Sequence, residues 1–248
     1  MLSTLFIFKS LIAIHIVGGS IGLLSFWVPV AGQKGGATHR RFGKVFINTM
    51  LITGTTAVAI AITTLWDPEG THPHLAQHAV FSNPLLIEGI FGWMMLYLAT
   101  LTLNLAWHGR LCMVNRNNHT ANRAWHNLLS QVLLTATAAN CFYRGWELVQ
   151  PMMLGISMVG FATVGTNLWF LYVLTPSRTE RIREHIKSLV GAGISVYTAF
   201  FAFGAVRIMP ELALTPALWS VPLIVGLTLI IYHRRAVALQ SIARGLTQ

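Results

Sequence analysis

Apolar stretches of about 20 residues follow one another along almost the whole of this 248-residue chain, and most of its charges fall between them. A run of that length crosses the ~30 Å hydrocarbon core of a bilayer as an α-helix. Inside lipid the backbone must satisfy its own hydrogen bonds, so continuous runs of this kind specify a helical bundle rather than a barrel. Composition agrees: only 10% of the residues are charged, against about a quarter in a soluble domain. The expected spans are 5–27, 46–66, 83–106, 126–148, 151–174, 187–208 and 213–233. The fold class is therefore all-α: a polytopic membrane bundle of seven transmembrane helices, with residues 1–248 forming one integral-membrane domain.

Charge sorting orients the bundle. Lys34, Arg40, Arg41 and Lys44 follow the first span, and Arg110, Arg116 and Arg123 follow the third. Arg178, Arg181, Arg183 and Lys187 follow the fifth, and Arg234, Arg235 and Arg244 follow the seventh. Of the 17 lysines and arginines, only Lys9, Arg144 and Arg207 remain on the other side. Cytoplasmic connections carry the excess of Lys and Arg, so the N-terminus is expected outside and the C-terminus inside. Trp27, Trp107 and Trp125 near the inner boundary and Trp66, Trp146 and Trp219 near the outer one match an aromatic belt. The first apolar run lacks a basic leader and a small-x-small cleavage site, so it reads as a helix and not a removable signal. A formal charge of +10 then reflects topology and anionic lipid headgroups, with no nucleic-acid partner implied. Cys112 and Cys141 fall at different depths and are expected to be free thiols.

Polar residues inside a bilayer are costly and commonly mark a working site. In the fourth span His126, Ser130, Leu133, Thr137, Asn140, Arg144 and Glu147 recur at alternating steps of four and three. That spacing lines them along one helical stripe, expected to face the bundle interior. Glu88 on the third span is at comparable depth to Arg144 and is the expected ion-pair partner, with Glu147 competing one turn away. Such a pair either fixes helix orientation or gates a path along Asn140 and Thr137.

The histidines form a second set. His15 shares a helical face with Gly18, Gly19 and Gly22, a surface where another helix can approach closely. Its imidazole either hydrogen-bonds a carbonyl, serine or threonine across that interface, or serves as a metal or haem ligand or proton relay. His39, His108, His126, His185 and His233 gather at cytoplasmic helix ends, and a haem or metal held between His126 and His185 is one possibility. On the opposite side His72, His74 and His78 have the spacing of nitrogen ligands for zinc or copper. There is no Walker loop, Gly-x-Ser-x-Gly elbow or His-Glu-x-x-His.

Two blocks resemble a known family. Leu11 to Gly19, then Lys34-Gly35-Gly36 and Thr38-His39-Arg40-Arg41-Phe42-Gly43-Lys44, resemble the DUF2306 family of predicted prokaryotic integral membrane proteins. Glu184-His185-Ile186-Lys187-Ser188 with Thr198-Ala199-Phe200 resembles that family's His-led late helix. The resemblance implies a bacterial cytoplasmic (inner) membrane protein of no known activity, and it groups His15, His39, Arg40, Gly43 and His185 in one site. A site of His39, Arg40 and His185 suits an anionic or quinone-like ligand.

Three functions follow as expectations. A redox or cofactor-binding protein, with haem, quinone or metal, draws on His15, His39, Arg40, His126 and His185. A small permease or proton-linked transporter draws on Glu88, Thr137, Asn140, Arg144 and Glu147. A non-catalytic subunit or assembly factor of a membrane complex needs other membrane subunits as partners besides the lipid bilayer.

Overall fold

The computed structural model describes residues 4–76, 81, 83–206 and 216–245, and it is all-helical over them. The long helices are α1 (Thr4–Ala31), α2 (Ala37–Trp66), α3 (Pro84–Val114), α4 (Trp125–Glu147), α5 (Pro151–Tyr172), α6 (Arg178–Val206) and α7 (Pro216–Gly245). Five of them, α1, α2, α3, α5 and the Leu218–Ala243 part of α7, are long and apolar enough to cross a membrane. The two helices outside that set, α4 and α6, carry the polar stripe and a strongly charged first half. The 209–212 connection expected between the last two helices lies outside the described residues, as does His78.

By its packing the chain divides into two compact units, Met1–Leu103 with Val132–Val164, and Asn104–Gln131 with Gly165–Gln248. In the first, α1 and α2 form a hairpin whose contact is set by small residues. A Cβ added to Gly22 would lie 2.2 Å from Met50 Cε, and one on Gly18 would lie 2.8 Å from Thr53 Oγ1. Only hydrogen at those positions lets the helices approach so closely. The last carbonyls of α1 are met by side-chain donors from just beyond the helix end. Lys34 Nζ donates to Pro29 O at 2.8 Å and to Val30 O, and His39 Nδ1 lies 3.2 Å from Pro29 O. Positive charge at a helix C-terminus also complements its dipole.

Helix α3 starts with Asn83 accepting from the Leu85 amide at 3.0 Å. It then passes through a π-helical stretch, Glu88–Met94. Further along, fully buried Tyr97 donates its hydroxyl to Ile156 O at 2.7 Å on α5, and Thr100 meets Thr137 of α4 at 2.7 Å. The turn from α4 to α5 is a Schellman closure. Gln150 N donates to Gly145 O at 2.8 Å, Val149 N donates to Trp146 O at 3.3 Å, and Val149 sits at φ 53°. Glycine is the usual residue there, because a β-branched side chain strains in that conformation.

In the second unit, side-chain donors again close a helix. His119 Nε2 lies 3.1 Å from Phe170 O, and Arg123 Nε donates to Leu171 O at 2.6 Å, both at the end of α5. Helix α6 opens with a capping box: Glu180 N donates to Ser177 Oγ at 3.1 Å, and Ser177 N donates to Glu180 Oε2 at 2.7 Å. Helices α3 and α6 touch at Gly109, where a Cβ would lie 2.8 Å from Leu189 Cδ2 and 3.0 Å from Ser188 Cβ.

Candidate functional site

Where α3 meets α6 in the second unit, the contact is polar at its centre. Asn104 and His108 are one turn apart on α3 and therefore share a face. Glu184, Lys187 and Ser188 are spaced three and four apart on α6, which likewise puts them on one face. Asn167 projects from α5, and Asn127, Ser130 and Gln131 come from α4. Asn104, His108, Asn127, Gln131, Asn167, Glu184 and Ser188 are all buried.

These side chains are joined into one network. Glu184 Oε1 is shared, lying 3.1 Å from His108 Nε2 and 2.5 Å from Lys187 Nζ. Lys187 also donates to Asn167 Oδ1 at 2.9 Å and to Thr166 Oγ1 at 3.0 Å. Asn167 Nδ2 passes the chain to Asn104 Oδ1 at 2.9 Å and to Gln131 Oε1 at 3.3 Å. Asn104 Nδ2 then donates to Ser130 Oγ at 3.1 Å. A single carboxylate thus anchors a lysine and a histidine at one end, and amides extend the network to α4. Leaving any one of these charges buried without its partner would cost several kcal/mol.

The protonation of His108 follows from this geometry. A carboxylate only accepts, so Nε2 carries the hydrogen, and in the neutral imidazole Nδ1 is the basic nitrogen. That Nδ1 is buried and has no hydrogen-bond partner, and the same holds for Ser188 Oγ and Asn127 Oδ1. Buried polar atoms are nearly always satisfied, so the bare Nδ1 of His108, inside the network, marks the atom at which a further group can be taken up. Chemically, the arrangement can take a proton at His108 Nδ1, with the Glu184 carboxylate offsetting the added charge and the Lys187 ammonium opposing it.

The residues singled out from the sequence are placed as follows. His15 Nδ1 lies 3.1 Å from Thr53 O and 3.4 Å from Thr56 Oγ1, across the α1–α2 contact. His39 is held at Pro29 O, and Arg40 donates to Gly35 O at 3.0 Å. His185 Nδ1 lies 2.8 Å from Gly109 O, beside the network without entering it. His126 is exposed, edge-on to Trp107 at 5.7 Å and Trp125 at 5.9 Å. No group of three His, Cys, Asp or Glu that could hold a metal occurs among the described residues. His72 is buried between Phe8 at 5.0 Å and Phe91 at 4.8 Å, with the exposed His74 ring at 6.2 Å.

The polar stripe of α4 lies beside the most buried face of that helix. Asn127, Gln131, Leu134, Ala138, Cys141 and Gly145 form the buried line, about 100° around from the stripe. Small Ala138 and Gly145 explain the rotation, because they let α5 approach: a Cβ on Gly145 would lie 2.7 Å from Met153 Cβ. On the shoulder, Arg144 pairs with Glu147 rather than Glu88, Nη1 to Oε2 at 3.0 Å. Glu88 instead accepts from the Trp93 indole at 2.9 Å. Thr137 meets Thr100, and Asn140 is half-buried. Both cysteines are free and buried.

Sequence reading passed over the network because each member had an ordinary explanation on its own. His108 looked like an interface histidine and Lys187 like a topology charge. The signal was the pairing of Asn104 with His108, and of Glu184 with Lys187, at one-turn spacing in otherwise apolar helices. No family model, curated protein or solved structure matches the chain.

Proposed function

We propose that this multi-pass protein is a small proton-linked permease of a bacterial cytoplasmic membrane, with seven spans and the N-terminus outside. The observation that carries this reading is the Lys187–Glu184–His108 cluster, in which a buried neutral imidazole keeps its basic nitrogen without a partner. With His108 neutral, the Lys187 and Glu184 charges cancel. A proton on Nδ1 gives the cluster a net positive charge inside a low-dielectric interior, which strengthens every interaction that distinguishes two packings of the surrounding helices. Such a charge change is what a proton-coupled transporter needs at its centre, and intramembrane ionisable residues commonly serve this role. The amides of Asn104, Asn167 and Gln131 hold the cluster in place and offer hydrogen-bonded positions along which water and protons can pass.

Reconstitution into liposomes loaded with a pH-sensitive dye tests this. Wild-type protein should dissipate an imposed pH gradient in the presence of its substrate mixture faster than empty vesicles. His108→Gln and Glu184→Gln should reduce that flux at least tenfold while keeping the wild-type elution profile. Flux equal to that of empty vesicles, or unchanged in a correctly folded Glu184→Gln, would sink the proposal.

A further inference from the structure

The first unit contains a cavity of about 210 Å³, lined by residues that take no part in the Lys187–Glu184–His108 network. Its walls are Leu85, Glu88, Gly89 and Trp93 from α3, and Arg144, Glu147 and Leu148 from the end of α4. The α3 side of the wall lies on or next to the π-helical stretch Glu88–Met94, the kind of local widening that recurs at functional sites.

The charges around this cavity do not balance. Glu147 is already satisfied: Oε2 takes Arg144 Nη1 at 3.0 Å and Oε1 takes the Tyr143 hydroxyl at 2.6 Å. Among the described residues Glu88 has only the neutral indole N–H of Trp93, at 2.9 Å on Oε1, and no cation within salt-bridge distance. Arg144 has the opposite shortfall. Its guanidinium spends one donor on Glu147, lies over the Trp93 ring at 5.7 Å, and has Nε buried with no acceptor. One cavity is thus lined by a carboxylate without a cation among the described residues and a guanidinium with donors left unused, together with an indole and two leucines.

From this we infer that the cavity is a binding site for a small zwitterionic amino acid, its ammonium on Glu88 and its carboxylate on Arg144. The volume suits a compact ligand, being below the ~300–1,000 Å³ of drug-sized sites. A carboxylate is the natural acceptor for an arginine fork. Trp93, Leu85 and Leu148 are apolar enough to receive a short aliphatic side chain. A simple amine would leave the arginine unsatisfied, and a simple acid would leave Glu88 unsatisfied. As the transported substrate this ligand rests on the permease reading; as a bound ligand it stands alone.

Isothermal titration of the detergent-purified full chain with glycine, L-alanine, L-valine, ethylamine and propionate tests the assignment. At least one of the three amino acids should bind saturably, and ethylamine and propionate at least tenfold more weakly. Glu88→Gln and Arg144→Gln should each weaken the amino acid at least tenfold, and quenching of Trp93 fluorescence should disappear in parallel. The melting temperature of Glu88→Gln in detergent should match wild type, since its carboxylate holds no cation. Equal binding by ethylamine or propionate, no saturable binding by any amino acid, or unchanged affinity in a folded Glu88→Gln would overturn it. Amino-acid binding without proton flux would keep this site and remove the permease, whereas flux without amino-acid binding would do the reverse.

Discussion

His72 shows how little of a side chain's surroundings its neighbours in sequence reveal. With His74 and His78 it has metal-ligand spacing, yet its ring is buried against Phe8 and Phe91, with Nδ1 at 3.0 Å from Thr71 Oγ1. Nothing near His72 in the sequence announces those aromatic partners, which come from α1 and α3. Burial, with the nearby His74 adding to it, pushes the imidazole down to about 4, while the Pro68 backbone opposes the shift. His72 is therefore neutral in the folded protein and protonates more readily once unfolded. Above the ordinary histidine range its contribution to stability is fully present. As pH falls from about 6.5 towards 4 the unfolded chain binds the extra proton and that contribution is lost. Thermal melts in detergent should show a loss of up to roughly 3 kcal/mol across that window. His72→Leu should flatten the dependence, and an equal slope in both proteins would refute the assignment. Asn104 and His108 teach the converse lesson, because their one-turn spacing was visible while their partners on α5 and α6 were not.

At the scale of the helix, the ends carry more information than the middles. Basic residues in the connections after α1 and α3 read from sequence as orientation signals. Lys34 and His39 also close the C-terminal carbonyls of the preceding helix, and His119 and Arg123 close those of the later helix α5. One residue type thus serves both the membrane potential at the surface and the local hydrogen bonding. The capping box at Ser177 and Glu180 starts α6 nine residues ahead of the expected span at 187. The α4–α5 turn was legible only as short. That Val149 would occupy a left-handed position could not be read, since valine is disfavoured there. Val149→Gly should accordingly stabilise the protein by about 1 kcal/mol. An unchanged or lower melting temperature would show that the strain is relieved elsewhere or is needed next to Leu148 and the cavity.

For the molecule as a whole, hydropathy carried the class, and the structure adds an all-helical architecture with five helices apolar enough to span. The remaining two, α4 and α6, are the ones that supply Gln131, Glu184 and Lys187 to the polar network. The features that weaken them as spans are thus the features that give the second unit its chemistry. If all seven cross, a membrane-impermeant maleimide should label a cysteine placed in the 68–74 segment from outside. Cysteines placed in 33–36 or 116–122 should react only after permeabilisation, and the opposite pattern would invert the topology. The π-helical turn in α3 has one more consequence, for anyone comparing this chain with others. A π turn holds about one residue more than the α turn it replaces, so side chains before and after it are out of phase by about 100°. Glu88 and Asn104 therefore cannot be placed on a common helical wheel by counting. In a relative with a regular α-helix here, equivalent positions after Met94 would be reached only by opening a single-residue gap, and a gapless alignment would pair inward-facing positions with lipid-facing ones.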